Sequence, residues 1–265
     1  MVRFGRWREI LQLQFPFRTD ENVTETVGFP LMTKNGENSD SEDEFLSGVR
    51  EGDRCIFCTS VANYHYARGL ACSALGMVSR AQQELQQLRA AAEKVPSTYL
   101  MHNNTATDLL AIAIHMLEGE VAYREQHTEV AFRSLNTAVD MCDSLPYDEP
   151  WGWMQPPRHA LGALLLEQKR TEEATAVYRE DLDRNPHNIW ATHGLLECLR
   201  ASVSSSSNQG GETQIPNGAP TGLPTSTQEE VAELEAELKV LASAADVKVH
   251  ASCFCSQAAL SHMET

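Results

Sequence analysis

RHALGALLLEQKRTEEATAVYRED, residues 158–181, recurs twice upstream without gaps, as HYARGLACSALGMVSRAQQELQQL (65–88) and HMLEGEVAYREQHTEVAFRSLNTA (115–138). Each copy has Gly four residues after its first residue: Gly69, Gly119 and Gly162. Each then has Ala twelve residues further on, at Ala81, Ala131 and Ala174, and a large apolar residue four beyond that, at Leu85, Leu135 and Tyr178. A fixed small-small-large spacing on a helical period predicts a pair of antiparallel helices per copy. The glycine lets the second helix come close, the alanine admits the next unit, and the large residue fills the space between.

Outward from these copies the pattern stays helical. Apolar and Ala residues recur at three- and four-residue steps over Tyr64 to Ala92, Thr107 to Met141 and Arg158 to Arg200, which predicts an all-α fold. Asn103, just before an apolar run, is the expected N-cap of its helix. NPHNIWATHGLLECLRA supplies a fourth first helix, with Trp190 and Gly194 again four apart, and Gln228 to Ala244 is its expected partner.

Two stretches interrupt the array. Thr19 to Glu44 is acidic and polar, and Ser202 to Thr227 is rich in Ser, Gly and Pro; neither has the apolar surface to offset the entropy of ordering, so both are expected to be disordered insertions. The expected organisation is an amino-terminal helix over 1–18, an acidic insertion over 19–54, the repeat array over 55–201, a linker over 202–227, and a closing helix with a Cys-containing tail over 228–265. Gly69 and Gly119 are 50 residues apart and Gly119 and Gly162 are 43 apart. The linkers Val95 to Thr105 and Ser144 to Gln155 are therefore expanded, and they are natural places for specific function.

The repeat pattern resembles the tetratricopeptide repeat, whose unit is about 34 residues. The third copy, Gln155 to Asn188, matches best; it departs at Lys169, where the family prefers Gly at the turn between helices, and the second copy departs at Gln126, while the first has Gly76. The segments VRFGRWREIL, HNNTATDLLAIAIHMLEGE, LPYDEPWGWMQPPRHALGALLLEQ and ASCFC look like one group within that family. In that group more repeats precede the VRFGRW-like segment, which implies a truncated array with apolar surface exposed on the first helix. The resemblance implies an α-solenoid with a concave groove. It places Asn63, Tyr66, Leu70 and Ser73 of the first repeat, Met116, Glu120 and Tyr123 of the second, and His159 of the third on that groove. This set lacks the Lys/Asn/Arg pattern of members that clamp a peptide carboxylate.

In WGWMQPPRHALG, Pro156 and Pro157 suit the head of a helix, where a missing N–H costs nothing. Trp151 and Trp153 are expected to cover an aromatic seam between the second and third repeats, with ligand stacking as their other reading. His159 has no nucleophile at a fixed helical offset, which favours groove lining over catalysis.

Composition limits the alternatives. Asp and Glu number 37 against 21 Lys and Arg, a formal charge of -16, which opposes a phosphate backbone and favours basic partners. Seven cysteines at irregular spacing argue against a secreted disulfide framework, and no apolar run reaches bilayer length, so a cytoplasmic protein is expected, without membrane or nucleic-acid partners. CIFC (Cys55, Cys58) and CFC (Cys253, Cys255) are thiol pairs, and the alternative reading is a zinc- or copper-binding protein or metal-dependent enzyme that uses the CFC tail; DVKVHAS before it alternates like a short strand. The Glu118 and Glu120 carboxylates near HNN are two apart and point to different helix faces, so paired acid-base chemistry is not indicated. Taken together, these features lead us to expect a non-enzymatic scaffold, without cofactor, that holds a protein or peptide in its groove.

Overall fold

The structure, a computed structural model, describes residues 2–13, 58–208 and 225–256. The acidic insertion over 19–54, with Cys55 beside it, and most of the Ser/Gly/Pro-rich stretch lie outside the described residues. The chain is mostly helical, as expected, with one two-residue β-ladder among the described residues. Two compact units appear, Met1–Gln155 and Pro156–Thr265, divided inside the WGWMQPP stretch.

The first unit contains α1 (Trp7–Gln12), α2 (Cys58–Ala74), α3 (Val78–Ala92), β1 (Leu100–Met101), β2 (Asn104–Thr105), α4 (Ala106–Arg124) and α5 (Thr128–Asp143). Helices α2 and α3 form one hairpin and α4 and α5 the next, and α4 also packs on α2 and α3. That central position explains its composition. Leu109, Leu110, Ile112, Ala113, Met116 and Leu117 are all buried, so α4 buries side chains over most of its circumference and keeps Asp108, His115 and Glu118 outward, whereas α5 buries one stripe of Ala131, Phe132, Leu135, Ala138 and Val139. Helix α1 packs on α2, and its Trp7 and Ile10 are buried rather than exposed, which corrects the expectation of an open apolar first helix.

The second unit contains α6 (Pro157–Glu167), α7 (Thr171–Arg184), α8 (Ile189–Asn208) and α9 (Thr225–Ala244). Pro157 opens α6 as its first helical residue, as its missing N–H allows. Two boundaries move. Helix α8 continues seven residues past the expected end at 201, to Asn208, and α9 begins at Thr225 rather than at 228; Ser side chains bonding back to carbonyls one turn earlier, Ser202 Oγ to Cys198 O and Ser204 Oγ to Arg200 O, accompany the extension.

The three aligned copies share one turn. Met77 N donates to Cys72 O and Gly76 N to Ser73 O; His127 N to Ala122 O and Gln126 N to Tyr123 O; Arg170 N to Leu165 O and Lys169 N to Leu166 O. This double bond pattern is the Schellman closure, which requires a left-handed residue just past the helix end. Gly76, Gln126 and Lys169 take φ of 73°, 65° and 61° there. The small residues act as predicted: a Cβ on Gly119 would lie 2.6 Å from Leu135 Cγ, and one on Gly162 or Gly194 would lie within 2.5 Å of the Tyr178 ring. Gly69 differs, meeting Leu117 of the next hairpin instead of Leu85 of its own. Ala81, Ala131 and Ala174 are fully buried.

The tail over 249–256 lies against the second unit without forming the expected strand. Phe254 meets Trp190 edge to face at 5.8 Å, and Ser252 shares a hydrogen bond with the buried Tyr178 hydroxyl. Among the described residues, no helix is long and apolar enough to cross a membrane.

Candidate functional site

In the first unit the two expanded linkers are built onto each other. At the first, Leu100 pairs with Thr105 and Met101 with Asn104, around His102 at φ 57°. Thr105, not Asn103, caps α4: its Oγ1 accepts from Asp108 N at 3.1 Å and donates to Asp108 Oδ2 at 2.6 Å. Asn103 is thereby released to hold the second linker, donating from Nδ2 to Tyr147 O at 2.9 Å and from its backbone N–H to Asp148 Oδ2 at 3.3 Å. Asn104, almost fully buried, donates to Pro146 O and Asp148 Oδ2 at 3.3 and 3.2 Å. Gly152 lies so close that a Cβ on it would be 2.7 Å from Asn104 Nδ2.

These bonds hold out side chains that a folded chain ordinarily buries. Leu100 (65% exposed), Met101 (41%), Tyr147 (75%), Trp151 (67%) and Met154 (63%) all stand on the two linkers, and they are five of the nine large exposed apolar residues described. Concentration on two bonded loops is the informative part, because single exposed apolar residues are ordinary. Tyr147 donates its hydroxyl to Glu149, which raises its pKa above the usual tyrosine value.

The two tryptophans part company. Trp153 is half-buried, crosses the Tyr66 ring edge to face at 5.4 Å and donates from Nε1 to Met116 Sδ at 3.3 Å, whereas Trp151 is exposed. Trp153 thus packs between the first and second copies, on Tyr66 and Met116.

The residues expected on a concave groove are mostly interior. Tyr66, Leu70, Ser73, Met116, Glu120, Tyr123 and His159 are buried, and Asn63, half-buried, donates to Thr59 O one turn back. The reason is mutual packing. Tyr66 donates to Gln155 Oε1 at 2.7 Å, Ser73 Oγ donates to Glu120 O at 3.1 Å, and Tyr123 crosses Phe132 at 6.2 Å. Burial, assisted by the Glu120 carboxylate, pushes the Tyr66 hydroxyl well above its ordinary pKa. Glu118, by contrast, lies at the surface with Arg89 and with His115 at 3.1 Å, so it and Glu120 do face differently.

His159 is corrected most clearly. It is 1% exposed and bonds through Nε2 to Asp181 Oδ2 at 3.0 Å, while Arg158 beside it reaches Glu180 at 2.7 Å. The Arg-His pair of α6 is thus read by the Glu-Asp pair of α7, as a register device between two helices. In the tail, Cys253 and Cys255 are joined as a disulfide.

An open cleft of about 490 Å³ lies on another side of the first unit, lined by Leu85, Arg89, Glu118, Val121, Glu125 and their neighbours. Its own side chains span it, through Arg89 to Glu118 and Gln82 to Glu125.

Trp151 is the member of the linker surface that sequence reasoning singled out by residue; Leu100, Met101, Tyr147 and Met154 had no periodic pattern to assign them a face. The available signal was apolar residues inside stretches rich in turn formers. No protein-family model, curated protein or solved structure matches the chain.

Proposed function

We propose that this protein is a non-enzymatic scaffold, an α-solenoid of tetratricopeptide type, that binds a protein or peptide partner through the paired linkers of its first unit. The observation that carries this reading is the set of five exposed apolar side chains held on hydrogen-bonded loops. Tyr and Trp are the side chains that most often dominate protein interfaces, and a loop fixed by Asn103 and Asn104 loses little freedom on docking. The shared turns and the Gly-Ala-large spacing support the repeat reading, since each hairpin has an apolar face that a neighbour must cover. A second support is that the acid-base pairs of the interior are closed to substrates: His159 and Asp181 are 1% and 2% exposed.

The test is quantitative affinity capture from the native cell with the intact chain, with Leu100, Tyr147 and Trp151 all changed to Ser, and with Val240→Ser, an exposed apolar position on α9, as control. The proteins captured by the intact chain and the control are expected to fall about tenfold with the triple variant. Equal recovery by all three, with unchanged melting temperatures, would reject the linkers as the binding surface.

A further inference from the structure

Resting on the reading of the linkers as a docking surface, we propose that their partner is a basic amphipathic segment, in which Leu- or Phe-like side chains alternate with Lys or Arg. The argument is one of charge and chemistry on the same two loops. Residues 95–108 and 143–155 contain Asp108, Asp143, Asp148 and Glu149 and no Lys or Arg. Asp148 is buried and bonded to Asn103 and Asn104, and Asp108, which accepts from Thr105, Glu149, which accepts from Tyr147, and Asp143 are at the surface. Counting the exposed Glu93 and Lys94 that directly precede the first linker, carboxylates outnumber cations around this apolar surface, which disfavours acidic segments and favours basic ones. It also discriminates by more than charge, because a purely polar basic peptide would leave Leu100, Met101 and Met154 in water.

The aromatic members fit the same occupant. The exposed rings of Trp151 and Tyr147 offer faces on which a guanidinium or ammonium can lie, an interaction strongest with Trp. Glu149, bonded to the Tyr147 hydroxyl, puts a negative charge beside one of those rings. An anionic ligand, a nucleic acid or an acidic lipid surface would be repelled by these carboxylates. Of the four other exposed apolar positions, Leu13, Val130, Val240 and Val247, Val240 stands alone on α9 and Val130 lines the cleft already spanned by Arg89 and Glu118.

The experiment uses the full chain and three synthetic, dye-labelled peptides of about twelve residues, roughly three helical turns. One has Leu and Arg at helical spacing, one replaces Arg by Glu, and one keeps Arg but replaces Leu by Ser. Affinity is read by fluorescence anisotropy, and a photoreactive group on the first peptide maps its contacts by mass spectrometry. We expect the first peptide to bind at least about tenfold more tightly than either relative, to crosslink within 95–108 and 143–155, and to weaken as salt rises from about 0.05 to about 0.5 M. Trp151→Ser should weaken it about tenfold. The pair Asp143→Asn and Glu149→Gln should weaken it several-fold, and Glu172→Gln with Glu173→Gln, on α7 of the second unit, should leave it unchanged.

Equal binding by the Leu-to-Ser peptide, crosslinks elsewhere, or insensitivity to Asp143→Asn and Glu149→Gln would overturn the inference. If native partners are lost with the Leu100, Tyr147 and Trp151 variant while the basic amphipathic peptide fails to bind, the docking surface stands and its assigned chemistry falls. If native recovery is unchanged as well, both fall.

Discussion

At Gln126 and Lys169 the backbone takes a left-handed conformation that costs an L-residue about 1–2 kcal/mol, in turns where the first copy has Gly76. Both side chains are exposed, so nothing packed is lost by removing them. Gln126→Gly and Lys169→Gly should each stabilise by about 0.5–1 kcal/mol, after the extra freedom of glycine in the unfolded chain is set against the relieved strain. Thermal unfolding of the double variant should rise by about 2–4 °C; a fall would show that the turns are not strained. Gly162 and Gly194 make the opposite case. They clasp the fully buried Tyr178 ring from α6 and α8, and Gly194→Ala should cost about 1–3 kcal/mol by overpacking. Combining it with Tyr178→Leu should cost less than the sum of the two single changes, because both act on one space. Cys198, near this core, shows how dry it is: burial pushes its thiol up to about 12.

Between elements, polar contacts settle which helix meets which. Glu84 of α3 receives His65 Nδ1 and Arg68 Nε of α2, each at 2.7 Å. Burial by itself would raise this carboxyl, but the bonds from His65 and Arg68 outweigh burial and hold it below the ordinary value of 4.5. A carboxyl lowered by folding adds stability that is complete above its unfolded pKa and disappears as pH falls through the folded one. The chain should therefore lose stability as pH drops below about 4.5, and Glu84→Gln should flatten that loss while lowering stability at neutral pH, as read by urea unfolding across the acid range. The α6–α7 hairpin depends on Asp181 in a comparable way. Asp181→Ala removes the carboxylate from a His159 that is almost wholly buried and should cost about 1–3 kcal/mol. The tail adds a third contact: Phe254→Ala, which takes a ring from Trp190, should cost about 3–5 kcal/mol in the second unit.

For the molecule as a whole, the exposed linkers separate binding from stability. Trp151→Ser removes a side chain that is 67% exposed, so it should shift the unfolding free energy by no more than about 0.5 kcal/mol while weakening partner binding. Melting curves and binding isotherms on the same sample check both halves. The fold was largely readable in advance. Spacing alone located the hairpins, since a small residue, an alanine and a large residue at four- and twelve-residue steps have one helical interpretation, and Pro157 marked where α6 begins. The candidate site was readable only as a region. Two linkers stood out by length, and Trp151 by type, but Asn103 looked like a helix cap until Thr105 was seen to take that place.

By itself, then, the sequence determined an all-α chain of helical pairs, its turn positions and the small residues at its close contacts, because these follow from local spacing and backbone preference. Only the tertiary structure decided which side chains are available. Tyr66, Ser73, Glu120, Tyr123 and His159 carry polar groups that suit a groove, yet each is buried; Tyr66 bonds to Gln155, Ser73 to Glu120 O and His159 to Asp181, all brought from another element, and Tyr123 packs on Phe132. Leu100, Tyr147 and Trp151 have the opposite chemistry and remain outside, because Asn103, Asn104 and Asp148 tie their loops together from beneath. Exposure depends on partners brought from across the fold, and no local pattern encodes that.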